Sequence, residues 1–159
     1  MKSRLNFKTE EDRDTQFVYV CFEFVYFFMH MTLRSAHSHD LGPERTKRLK
    51  AELGPLVLLP LIDTFYGHWP MDLQEKLVAQ FYQKMNDAEL EYSTYTELFA
   101  SGDPITGNAL FSRLARNVLE LSGHSPTNPA EHLVAYGIAI KTWKDMRLDK
   151  HIEAVERVL

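Results

Sequence analysis

The chain has 159 residues, of which 45% are hydrophobic and 25% charged, and its formal net charge is −4 with the histidines neutral. These proportions are those of a folded globular protein and exclude a disordered chain. The acidic balance argues against a dedicated nucleic-acid binder, which normally carries a surplus of Lys and Arg. Cys21 is the single cysteine. Because no disulfide can form within the chain, nothing argues for secretion, and we expect a cytoplasmic protein.

The first predicted helix runs from about residue 10 to residue 37, after a flexible start over residues 1–8. Its middle, "FVYVCFEFVYFFMHMTL", is a nearly unbroken apolar run of 17 residues that contains Glu23 and His30. A membrane-spanning helix usually needs about 20 such residues. A carboxylate near the centre of a bilayer costs on the order of 2.5 kcal/mol or more. We therefore predict a largely buried helix of a soluble protein and no membrane span.

Proline and glycine divide the next part of the chain. A second helix is predicted to begin at Pro43, to break at Gly54–Pro55, and to continue as a bent apolar helix over about 55–66, because each proline removes a helical hydrogen bond. The third helix is predicted over about 72–100. Its apolar residues recur every three or four positions, which keeps them on one stripe of a helix. They are Leu73, Leu77, Phe81, Met85, Ala88, Tyr92, Tyr95 and Phe99.

Two shorter helices complete the prediction. The fourth covers about 105–122, with Gly123 placed to end it. The fifth begins at Asn128, where a cap residue, a first-turn proline and Glu131 form a start signal. Its Gly137 is expected to let another helix approach closely. No segment shows a strand pattern. We predict one all-α domain over 1–159, a bundle of five to six helices in which the first and third are long and central.

The common catalytic and cofactor signatures are missing from the sequence. It has no phosphate-binding glycine loop, no dinucleotide fingerprint, no zinc-binding cysteine pairs and no Glu-x-x-His pair of the di-iron bundles. We therefore expect no cofactor. The segment "HSHD" holds the weak metal-ligand candidates His37, His39 and Asp40. Zinc normally needs three or four well-placed ligands, so a solvated loop without metal is the preferred interpretation.

Polar residues of the first helix form a narrow seam. At about 100° per residue, His30 and Arg34 lie within about 20° of Glu23, while most of the remaining circumference is apolar. Three interpretations are open. The seam is a strip of water contact, a buried hydrogen-bonded network, or a face covered by a second copy or another protein. A buried carboxylate would need a hydrogen-bonding partner.

Two functional hypotheses follow. The first is a non-enzymatic helical interaction or regulatory module that self-associates or binds a helical protein partner, because a helix apolar over most of its circumference must be covered on several sides. The alternative is a small helical enzyme or ligand-binding protein. In that case Glu23 would be a base or ligand, His30 an acid, base or ligand, and Arg34 an anion anchor.

Overall fold

A computed structural model describes residues 10–38 and 42–147 of the chain, with side chains from residue 16 onward. These residues form five α-helices and no β-strand, which confirms the all-α prediction. The helices are α1 (Glu10–Ser38), α2 (Pro43–Tyr66), α3 (Met71–Tyr92), α4 (Leu110–Leu121) and α5 (Pro129–Met146). They divide into two compact units. Of the described residues, unit 1 holds 10–24 and 92–146, and unit 2 holds 25–38, 42–91 and 147. The prediction of a single domain stays a prediction.

Unit 2 is built from the second part of α1 with α2 and α3. Phe27, Leu58 and Phe81 are almost fully buried and supply much of its core. The Tyr26 and Phe81 rings join α1 to α3 with centroids 5.2 Å apart. Between α2 and α3, a Cβ added at Gly54 would lie 2.9 Å from the Tyr82 ring. Gly54 therefore permits a contact that no larger residue allows without movement of that ring.

The second helix differs from the prediction, because α2 is continuous from Pro43 to Tyr66 with Pro55 and Pro60 inside it. The expected break at Gly54–Pro55 is wrong. Each proline removes one N–H donor and leaves the carbonyl four residues earlier without its helical partner. Both prolines are exposed, and those carbonyls belong to the exposed residues Ala51 and Leu56. Water can satisfy both groups there, so the helix tolerates the two missing hydrogen bonds.

The third helix ends at Tyr92, eight residues before the predicted end at about residue 100. The residues after Tyr92 contribute to the start of α4, which has no side-chain cap at Ala109. The Leu110 N–H donates to the Glu97 carbonyl at 2.9 Å instead, and the Phe111 N–H donates to the Leu98 carbonyl at 3.1 Å. The segment after Tyr92 thus satisfies donors that would otherwise be orphaned at a helix start.

In unit 1, α4 and α5 run antiparallel. Phe111 at the start of α4 contacts Trp143 near the end of α5, with ring centroids 6.3 Å apart. Leu119 at the end of α4 packs with Ala135 in the first half of α5. Two residues predicted from the sequence define the turn that reverses the chain direction between α4 and α5. Gly123 adopts a left-handed φ of 76° just after α4, and the Asn128 side chain accepts from the Ala130 N–H at 3.1 Å.

The turn at the end of α4 is a Schellman motif. The His124 N–H donates to the Leu119 carbonyl at 2.8 Å, and the Gly123 N–H donates to the Glu120 carbonyl at 3.3 Å. This pair of bonds satisfies carbonyls that would be unpaired at a helix end, and it requires a left-handed residue at Gly123.

By length and composition alone, residues Gln16–Ser38 of α1 are long and apolar enough to cross a membrane, a test that buried core helices of soluble proteins also pass. Every residue from 20 to 36 is buried or half-buried in the folded chain. This part of α1 therefore does not itself require a second copy to cover it, which was the reason for expecting self-association.

Replacing Gly123 by Ala should lower the free energy of unfolding by about 1 kcal/mol, because a Cβ disfavours the left-handed conformation by roughly that amount. The measurement is urea denaturation followed by circular dichroism. Gly102→Ala is the matched control, since Gly102 is exposed, lacks a positive φ and has no atom within 4 Å of an added Cβ. Equal effects of the two substitutions would contradict the assigned role of Gly123.

Candidate functional site

Glu23 lies in unit 1 at the centre of a polar network. Its Oε1 accepts a hydrogen bond from the hydroxyl of Tyr92, which is 0% exposed. The same oxygen accepts from Asn117 Nδ2 at 2.8 Å, and Asn117 Nδ2 lies 3.2 Å from the Tyr92 hydroxyl. The three side chains come from α1, the last residue of α3, and α4. A half-buried carboxylate thus has the hydrogen-bond donors that its burial requires.

His30 lies in unit 2 and has a carboxylate partner of its own. Its side chain is 5% exposed, and Nδ1 is 3.0 Å from Glu89 Oε2 of α3. Arg34, the third member of the predicted seam, is half-buried. The interpretation of the seam as a strip of water contact therefore does not hold for Glu23 and His30, whose contacts fit the buried-network interpretation. Whether these three residues carry chemistry stays a prediction.

The other candidates are less informative. His37 is exposed at the end of α1, while His39 and Asp40 lie outside the described residues. Among residues 16–38 and 42–147, no three His, Cys, Asp or Glu side chains lie close enough together to hold a metal ion. Burial raises the pKa of the Cys21 thiol. A raised pKa opposes formation of the reactive thiolate, in agreement with a structural role for Cys21.

Sequence reasoning missed an apolar groove in unit 1, which we call the unit 1 groove. Its volume is about 470 Å³, within the range of roughly 300–1,000 Å³ typical of ligand sites. Three helices supply its walls. The lining residues are Val20 and Phe24 of α1, Val118 and Leu119 of α4, His124, and Ala130, Glu131, Val134, Ala135 and Ile138 of α5.

Large apolar side chains on the α5 wall of this groove are more than half exposed to solvent. Val134 and Ile138 are 63% and 54% exposed, and neighbouring Leu133 is 53% exposed. The buried face of α5 consists of His132, Ala135 and Ala139 instead. Gly137, predicted to allow close helix approach, has no atom within 4 Å of an added Cβ. No contact at Gly137 in the described structure corresponds to the predicted close approach.

One signal for this surface was present in the sequence. Apolar residues occupy nearly consecutive positions of helix 5, in "LVAYGIAI" (133–140), and so cover more than one face of the helix. A helix that is apolar over so much of its circumference must be covered on several sides or remain partly exposed. The same argument holds for the first helix, but residues 20–36 of α1 are buried or half-buried, whereas Leu133, Val134 and Ile138 of α5 are more than half exposed.

Comparisons with known proteins assign the chain to no family. No protein-family model, no curated protein and no solved structure matches the chain. The site must therefore be interpreted from its own geometry.

Tyr92→Phe should lower the free energy of unfolding by about 1.5–3 kcal/mol, the usual worth of a hydrogen bond to a charged group. The double variant Tyr92→Phe/Glu23→Gln should lose clearly less stability than the sum of the two single variants, because both single substitutions remove the same hydrogen bond. Urea denaturation of the four proteins of this double-mutant cycle provides the measurement.

The control for this cycle replaces Tyr92→Phe by Tyr136→Phe. The Tyr136 hydroxyl accepts from the Ala100 N–H at 3.3 Å and has no described bond to Glu23. Tyr136→Phe and Glu23→Gln should therefore add. Additivity in the Tyr92 cycle would show that the Glu23–Tyr92 bond contributes nothing specific.

Proposed function

We propose that this protein is a non-enzymatic helical interaction module whose unit 1 groove binds the apolar face of an α-helix from a partner protein. The observation that carries the proposal is the combination of an apolar groove of about 470 Å³ with an α5 wall whose Val134 and Ile138 are more than half exposed. Exposed apolar side chains grouped along a concave surface are a common mark of a binding site. A groove between helices is a common docking place for an amphipathic helix.

The dimensions of the groove support a helix as the occupant. Ala130, Val134 and Ile138 lie four residues apart on α5 and line the groove. At about 1.5 Å rise per residue they extend over roughly 12 Å, or about two helical turns. A helix laid alongside α5 would present apolar residues at matching intervals of three and four positions.

The α1 wall extends this surface. Phe17, Val20 and Phe24 follow the three-and-four spacing that places residues on one helix face. Val20 and Phe24 line the groove, and Phe17 is 60% exposed one turn earlier. Aromatic side chains, including Phe, are enriched at protein–protein interfaces relative to the rest of the surface. Phe17 is therefore our candidate for an anchor beside the groove.

The absence of a role in catalysis is part of the proposal. The hydrogen bonds of the two candidate residues support it. Glu23 bonds to Tyr92 and Asn117. His30 bonds to Glu89. A cytoplasmic location and the lack of nucleic-acid binding and of a membrane span are likewise proposals, whereas self-association stays a prediction and is not proposed for the groove. The burial of residues 20–36 supports a core role for α1.

The test uses the full-length protein and a fluorescent model peptide that folds as an amphipathic helix with a leucine-rich face. Fluorescence anisotropy at high salt should show saturable binding. Val134→Asp should weaken it at least about tenfold, because a charge placed in an apolar contact must be desolvated without a partner.

Leu56→Asp is the matched control for that substitution. Leu56 is 70% exposed on α2 in unit 2 and does not line the groove. It should leave binding unchanged. The proposal fails when no saturable binding occurs, or when Val134→Asp and Leu56→Asp weaken binding equally.

A further inference from the structure

The unit 1 groove has one acidic position in its lining. Glu131 lies in the first turn of α5, where the helix dipole stabilises a negative charge. Its Oε1 is 3.2 Å from His124 Nδ1, and its side chain is 37% exposed. Oε2 has no partner among the described residues. The carboxylate can therefore accept a hydrogen bond from a group that enters the groove.

This position is at one end of the groove. His124, Ala130 and Glu131 lie where α4 ends and α5 begins, whereas Val134 and Ile138 line the groove further along α5. All the other lining residues from α1, α4 and α5 are apolar. An occupant of matching chemistry is apolar along its length and carries a positive charge or a hydrogen-bond donor at one end.

We propose that the partner helix carries a Lys or Arg at the end of its apolar face, and that this side chain pairs with Glu131. The inference rests on the proposed function and specifies the partner of the same groove. The apolar contacts supply most of the affinity, since an ion pair at a partly exposed rim contributes little. The charge pair favours one direction of the bound helix, because the reversed helix would leave its cation away from Glu131.

The experiment compares two model peptides with the same leucine-rich face. One carries Lys at the end of that face and the other carries Gln at the same position. Full-length protein at low salt should bind the Lys peptide about threefold to fivefold more tightly, in line with a rim ion pair. Glu131→Gln should remove this preference, so that the two peptides bind the variant with equal affinity. Circular dichroism and urea denaturation of Glu131→Gln check that the variant retains its fold.

Asp145→Asn is the control, since Asp145 is an exposed acidic residue of α5 that does not line the groove. It should keep the preference for the Lys peptide. Equal binding of the two peptides to the wild-type protein overturns the inference, as does an equal loss of both peptides in Glu131→Gln. Both results leave the proposed function intact, provided that Val134→Asp still weakens binding at least about tenfold.

Two further outcomes identify a different failure. If neither peptide binds saturably, the proposed function itself is wrong. If sedimentation shows a dimer that Val134→Asp dissociates, the occupant is a second copy of this chain, and the inference of a basic partner helix is overturned.

Discussion

The bond between the Glu23 carboxylate and the buried Tyr92 hydroxyl fixes the position of the site. Tyr92 is fully buried, and a buried hydroxyl without an acceptor is costly. Glu23 also accepts from Asn117 and so joins α1 to α4. Val20 and Phe24 flank Glu23 on α1, and Val118 follows Asn117 on α4. The polar network therefore positions the two groove walls that face α5. Glu23, the carboxylate within the apolar run, thus helps to hold the apolar lining of the unit 1 groove in place.

Local signals in the sequence predicted much of the fold. The Asn128 cap and the left-handed Gly123 acted where predicted, because each depends on only a few neighbouring residues. The predicted break in helix 2 was wrong for a local reason, because the carbonyls left without helical partners belong to exposed residues. The predicted end of helix 3 was wrong where distant contacts matter, since the segment after Tyr92 accepts hydrogen bonds from the first N–H groups of α4. Phe99 matched the apolar stripe predicted for helix 3, but it lies after the end of α3. Its apolar character serves a different contact, because its ring stacks on Phe111 with centroids 5.1 Å apart.

The candidate site was predictable only in part. Helical periodicity grouped Glu23 with His30, but it does not identify partners on other helices. Glu89 lies 59 residues from His30 in sequence, and Asn117 lies 94 residues from Glu23. The groove requires knowledge of which face of α5 packs on α4. Ala135 and Ala139 take the buried face, although Leu133 and Val134 are the larger apolar residues. Composition alone favours the opposite choice, because large apolar residues are usually the buried ones.

The central claim is that the unit 1 groove is the binding surface of this protein. Methyl nuclear magnetic resonance of the full-length protein, titrated with the Lys-bearing helical peptide, tests it most directly. Saturable chemical-shift changes are expected at the methyl groups of Val20, Val118, Val134 and Ile138, and no changes are expected at Leu56 and Leu59 of α2. Shifts confined to Leu56 and Leu59, or no shift at the groove methyl groups under saturating peptide, would contradict the account.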